Sequence, residues 1–188
     1  MTSTELAILS LIVQEPRHGY QIEQVVQERG MRDWAEIGFS SIYYLLSKIE
    51  RRGWIAGETS TADSSGPARK VYRVTREGLS VWHRGVLDVL STPQRYCIPL
   101  QVGLANLPSL PHTEAIAALA EYRRRLTERK TYVRANLAQV LAQGRLPWHA
   151  ELMFDLSLAM TEAELSWVKK LLRKLSAKSK GDRYDRTG

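Results

Sequence analysis

Six side chains in one short stretch have the chemistry to hold a nucleic acid: Ser40, Tyr43, Tyr44, Ser47, Lys48 and Arg51. Hydroxyls and cations bind phosphate oxygens, and Arg and Tyr also reach base edges in a major groove. Their spacing has a helical reading. At 100° per residue, Ser40, Tyr44, Ser47, Lys48 and Arg51 share one face, with Tyr43 at its flank. Ile42, Leu45, Leu46 and Ile49 repeat at i, i+3, i+4 and i+7, which marks the opposite, buried face. Ser40 is the expected N-cap, its hydroxyl taking a free backbone N–H. Gly53 is the expected stop.

The elements around this helix position it. Trp54–Thr59 reads as a strand and Arg69–Thr75 as a second. The loop 60–68 between them holds Ser64-Ser65-Gly66-Pro67, where Gly permits positive φ and Pro presets its own φ. Arg69 and Lys70 then stand at a hairpin edge, either to track DNA phosphates or to solvate the edge. A helix followed by a cationic hairpin is the layout of a winged helix-turn-helix with a two-stranded wing. Upstream, Thr4–Gln14 is apolar on nearly every side and reads as a buried helix. Pro16 separates it from a second helix, His18–Arg29, whose inward stripe is Ile22, Val25 and Val26. His18 and Tyr20 at its start are candidate contacts to the DNA backbone; alternatively, His18-Gly19-Tyr20 is a helix start where Gly19 allows close packing. A polar link, Gly30–Gly38, leads to the recognition helix. Thr75 is placed to cap a helix over Arg76–Leu90, with Leu79, Trp82, Val86, Leu87 and Leu90 on its apolar side.

Ser91-Thr92-Pro93 is the natural boundary, giving an N-terminal domain of residues 1–91 and a helical domain of 92–175. Pro99, Pro108 and Pro111 bracket a helical piece, Leu100–Leu107. A long helix follows over His112–Ala142, where Leu119, Leu126, Val133 and Val140 repeat every seven residues. The companion positions Ile116, Arg123, Lys130 and Leu137 make the middle of that seam cationic. An antiparallel or offset pairing with Glu121 or Glu128 would relieve it; alternatively, the stripe packs on the last helix of the same chain. Gly144 and Pro147 precede a final helical region, Trp148–Lys174, with a capping-box pattern at Thr161–Glu164 that predicts a kink or restart. The tail 176–188 is polar and expected to be disordered.

Five motifs carry a family resemblance. His18-Gly19-Tyr20, Ser41-Ile42-Tyr43 with Leu45-Leu46, Arg52-Gly53-Trp54-Ile55, Pro67-Ala68-Arg69-Lys70-Val71-Tyr72 and Thr75-Arg76-Glu77-Gly78 resemble the PadR transcriptional regulators. Pro99, the Arg-rich long helix and Glu164-Leu165-Ser166-Trp167 are similar to the helical C-terminal region of the larger PadR subfamily. Tyr44 departs from the pattern, since many members have proline there. The resemblance implies a cytoplasmic, nucleoid-associated homodimer that binds operator DNA, most often a repressor released by a small molecule. It also implies that the C-terminal half is the dimerisation domain, through a long antiparallel arm. Trp82, Tyr96, Trp148 and Trp167 flank the boundary and are the candidate effector-binding residues, because aromatic-lined cavities suit small ligands; alternatively, the tryptophans are core residues. Two other readings remain open: an activator of the same fold, and an interaction module that no longer reads DNA.

Charge sharpens this. The chain of 188 residues carries a formal +7, yet residues 1–91 hold 11 Lys/Arg against 11 Asp/Glu. The excess lies in the C-terminal half, so net charge is no argument for the DNA-reading domain. Residues 39–76 are the local exception, with 7 basic against 3 acidic side chains. A single cysteine, Cys97, fits a reducing compartment without disulfides. No stretch has the length of a membrane span, and the apolar N-terminus lacks the flanks of a signal peptide. His18, His83, His112 and His149 are scattered, without metal-ligand spacing. No phosphate loop or nucleophile elbow is present, so neither an enzyme nor a cofactor is expected.

Overall fold

The computed structural model describes residues 1–35, 37–38, 41–60, 69–93, 99–144 and 146–181. They fall into two compact units, Met1–Tyr96 and Cys97–Gly188.

The first unit is built on α1, Ser3–Gln14. Thr2 and Glu5 form a reciprocal capping box at its start, which satisfies two free backbone donors. Ile8, Leu9, Leu11 and Ile12 are buried on several sides of the helix, as its unpatterned apolar run requires. A two-residue strand β1, Arg17–His18, leads into α2, Gly19–Glu28. A short helix α3, Met31–Ala35, follows within the stretch expected to be a polar link. Met31, Ala35 and Ile37 are buried there, and three apolar positions are too few to show a period in sequence.

Helix α4 spans Ser41–Arg51. Ile42, Leu45, Leu46 and Ile49 are all buried, so the apolar stripe faces the core as its spacing dictates. Gly53 ends the helix at φ +73°, a left-handed conformation that L side chains resist. Trp54 N–H donates to Ile49 O at 3.1 Å and Gly53 N–H to Glu50 O at 2.8 Å, the paired bonds of a glycine C-cap. Strands β2, Ile55–Ser60, and β3, Arg69–Val74, then pair antiparallel, with Gly57 opposite Tyr72. The wing has a third strand: β1 pairs with β3, Arg17 opposite Tyr72, giving the order β1-β3-β2. Two residues before a helix carry no alternation, so this strand left no signal in the sequence.

Thr75 caps α5, Arg76–Ser91, by accepting from Gly78 N–H. Its own hydroxyl donates to Gly53 O at 2.7 Å, fastening the start of α5 to the end of α4. A Cβ on Gly78 would stand 1.8 Å from Trp54 O, so only glycine lets α5 begin so close to the wing. Leu79, Leu87 and Leu90 on α5 are exposed in the single chain, whereas Trp82 packs on the α1 core.

The second unit contains α6, Pro99–Ala105, a 3-10 turn at Leu107–Ser109, and two long helices, α7, His112–Ala142, and α8, Trp148–Gly181. The long helices run antiparallel, since His112 Nε2 meets Leu175 O and Lys130 meets Glu162. Leu119 and Leu126 of the heptad stripe pack against Leu165, Val168 and Leu172 of the same chain. The expected kink at Thr161 is absent. Its hydroxyl instead donates to Ser157 O at 2.8 Å within an unbroken helix. The polar tail from Ser176 is helical as far as Gly181.

Candidate nucleic-acid interface

Burial of the α4 stripe turns the other face outward. Tyr43, Tyr44, Ser47 and Arg51 are all exposed, presenting two phenols, a hydroxyl and a guanidinium. Arg51 Nε lies 3.4 Å from Ser47 O on its own helix and has no acidic partner among the described residues. Its fork is free for a phosphate or the edge of a guanine.

Lys48 sits differently from its sequence expectation. Its Nζ is 2.7 Å from Glu5 Oε1, while Arg52 Nη1 is 3.1 Å from Oε2. Glu5 is only 1% exposed. Burial pushes its carboxyl upward, but the Lys48 and Thr2 hydrogen bonds and the Arg52 and Lys48 charges outweigh this and hold it below the ordinary range. Lys48 therefore ties α4 to α1. Arg52 also lies over the Trp54 ring at 4.9 Å.

A second carboxylate fixes the wing. Glu50 accepts from Lys70 Nζ at 2.8 Å and from Gly57 N–H at 3.1 Å, so one α4 side chain holds both strands of the hairpin. Lys70 also lies 5.5 Å from the centre of the Tyr72 ring. The Glu50 hydrogen bond raises the Lys70 pKa. A Cβ on Gly57 would fall 2.0 Å from the Lys70 side chain, so a larger residue there would displace Lys70 from this position. Arg69 contributes its backbone to β3 opposite Ser60; its side chain, like the whole of Ser40, lies outside the described residues.

The structure brings the two sets of expected contacts together. His18, Gly19, Tyr20, Tyr43, Lys70 and Tyr72 line one open cleft of about 410 Å³. Tyr20 is exposed at its rim, and His18 N–H donates to Gln21 Oε1 at 3.0 Å to start α2. Tyr72 forms the floor, its phenol pKa raised chiefly by burial. Gly19 explains the close packing: a Cβ there would stand 2.6 Å from the Tyr43 ring. Gly19→Ala should thus push Tyr43 aside without opening the core. Thermal stability should hold or rise slightly, because Ala favours helix. DNA affinity should fall by about 0.5–1.5 kcal/mol, one hydrogen bond's worth, as measured by fluorescence anisotropy beside a melting curve.

Trp82 belongs to the first unit's packing, its Nε1 donating to Ser10 Oγ at 3.0 Å. Trp148 and Trp167 are exposed on α8, and Tyr96 lies outside the described residues. Sequence reading missed Glu5 and Glu50. The Thr2-x-x-Glu5 pattern signals a cap but not the cations that Glu5 would meet.

Residues 8–84 match the PadR-like family of transcriptional regulators. The fold is similar to Bacillus subtilis PadR in complex with operator DNA, at 19% identity and a TM-score of 0.72, over 91% of this chain and 98% of that one. Bacillus subtilis PadR in complex with p-coumaric acid aligns at 18% identity and 0.73, over 93% and 99%. The protein smu.1604c from Streptococcus mutans UA159 aligns at 20% and 0.65, over 92% and 99%. No curated protein matches the chain significantly.

Proposed function

We propose that the chain is a PadR-like transcriptional regulator, a homodimeric repressor which reads an inverted-repeat operator and is released by a small molecule. The observation that carries this reading is the outward face of α4. Tyr43, Tyr44, Ser47 and Arg51 are exposed beside a wing that Glu50 holds in place. Two such helices would enter successive major grooves about 34–36 Å apart. Operator binding and release by a ligand are supported by a protein of this fold crystallised with operator DNA and with p-coumaric acid. Dimerisation is supported by the exposed apolar residues of α8, Trp148, Leu152, Leu156, Met160 and Trp167.

Selection of bound DNA from a random pool tests the reading. The expected product is an inverted repeat with half-sites near one helical turn apart, and recovery of nothing above background would overturn it. With that operator in hand, Arg51→Ala should cost about 1–3 kcal/mol on the selected site if Arg51 reads a base. Equal losses on selected and random DNA would assign it to phosphate instead.

A further inference from the structure

The seam between α7 and α8 carries one charge arrangement that is satisfied and one that is not. Lys130 of α7 meets Glu162 of α8 at 2.7 Å, with Arg134 adding a contact at 3.1 Å. One heptad away on each antiparallel helix, the corresponding positions are Arg123 and Lys169. Here a cation faces a cation. Arg173, one turn beyond Lys169, joins the same groove of about 620 Å³, with Leu172, Ser176 and Ala177. None of the three cations has a carboxylate partner among the described residues. The two α7 acids nearest Arg123 in sequence are engaged elsewhere, Glu121 by Arg124 and Arg125 and Glu128 by Arg124.

Arg123, Lys169 and Arg173 are all exposed, so water and salt screen part of their repulsion, and an anion lying between them would turn the remainder into attraction. We propose that this groove is the binding site for a small organic oxyanion, a carboxylate or phosphate on a partly apolar body. The Arg123 guanidinium offers a planar fork that takes two oxygens at once, and Lys169 and Arg173 supply the opposing charge. Ser176 adds a hydroxyl, and Leu172 gives an apolar floor for the body of the ligand. The apolar stripe of α8 that suits a second copy lies roughly 100° round the helix from this flank, so dimerisation through that stripe leaves the groove open. The site itself stands on the charge geometry; calling its ligand an effector rests on the regulator reading above.

Calorimetric titration of the intact protein at near-physiological salt tests the site, with inorganic pyrophosphate and benzoate as separate probes. The expected result is saturable binding of at least one probe at one per chain, and the preferred probe identifies the oxyanion class. Binding should weaken at least tenfold in Arg123→Gln and in Lys169→Gln, and stay unchanged in Lys170→Gln, which alters a cation outside the groove. No saturation with either probe, or binding that survives both groove substitutions, overturns the proposal. Sedimentation of the same variants gives a further check. If both substitutions loosen a dimer without any probe, a second copy's carboxylates fill the groove and the small-anion site falls. Operator selection with the same preparation separates the two readings, because anion binding without DNA selection would leave the site standing and remove the regulator.

Discussion

Replacing both Lys48 and Arg52 by methionine should destabilise the N-terminal unit by about 3–5 kcal/mol, the cost of leaving a buried charge without its partners. The loss follows from unequal exposure within the triad. Glu5 is 1% exposed, whereas the Lys48 and Arg52 side chains are 29% and 42% exposed. Removing the acid frees two cations that can reach water; removing the cations leaves a carboxylate that cannot, with only the Thr2 N–H bond to hold it. Methionine keeps the stem volumes, so the change is one of charge more than of packing.

The pH dependence should reverse as well. In the intact triad the Glu5 pKa is depressed, so its contribution is fully present above the ordinary glutamate range and is lost as pH falls through the folded value. Without the cations, burial, the largest influence on this carboxyl, outweighs the remaining Thr2 N–H bond and raises that pKa. The penalty is then present at neutral pH and relieved as pH falls and Glu5 takes a proton. Urea melts of both proteins across the acid range read this directly. A variant whose penalty does not shrink on acidification, relative to the parent, would show that Glu5 is not the stranded group. DNA affinity measured where both proteins are folded then separates the structural role of Lys48 from any phosphate contact.

The triad also shows what the sequence holds and what it hides. The α4 stripe was legible because burial of a helix face repeats at 3.6 residues, and Ile42, Leu45, Leu46 and Ile49 obey that period without exception. Gly53 and Thr75 were legible for a similar reason, since stops and caps depend on the local backbone. The partner of an outward-pointing lysine is a tertiary fact. Lys48 and Arg51 are alike in type and lie on neighbouring parts of one helix surface, yet Glu5, 47 residues from Arg52 in sequence, takes the first and leaves the second. The same limit applies to Lys70, held by Glu50 across the wing, and to Lys130, which meets Glu162 on α8 and not the nearby Glu121 or Glu128. Short elements fail differently. Strand β1 and helix α3 hold too few residues for any period, and only the sheet edge and the core they complete define them.

Leu156→Glu is expected to have the largest effect on DNA binding, although it touches neither α4 nor the wing. Leu156 is 61% exposed at the middle of an α8 stripe, with Trp148 at 74% and Leu152 at 57%. So much apolar surface on one helix face marks an interaction site. A glutamate there costs the isolated chain little, because the side chain already meets water. In the proposed dimer, set against its symmetry mate across a two-fold axis, the same glutamate faces a like charge in an apolar contact. The dimer should dissociate while the melting of the N-terminal unit holds. Operator affinity should then drop by about 10²- to 10⁴-fold, the gain that linking two reading heads supplies. Affinity for a single half-site should stay at the parental value, because each winged helix is intact. Sedimentation and binding to whole and half operators measure the three quantities together. A variant that remains dimeric would move the interface to another exposed apolar face, such as Leu87 and Leu90 of α5. A monomer with undiminished operator affinity would instead show that one head reads the site alone, and the need for an inverted repeat would go with it.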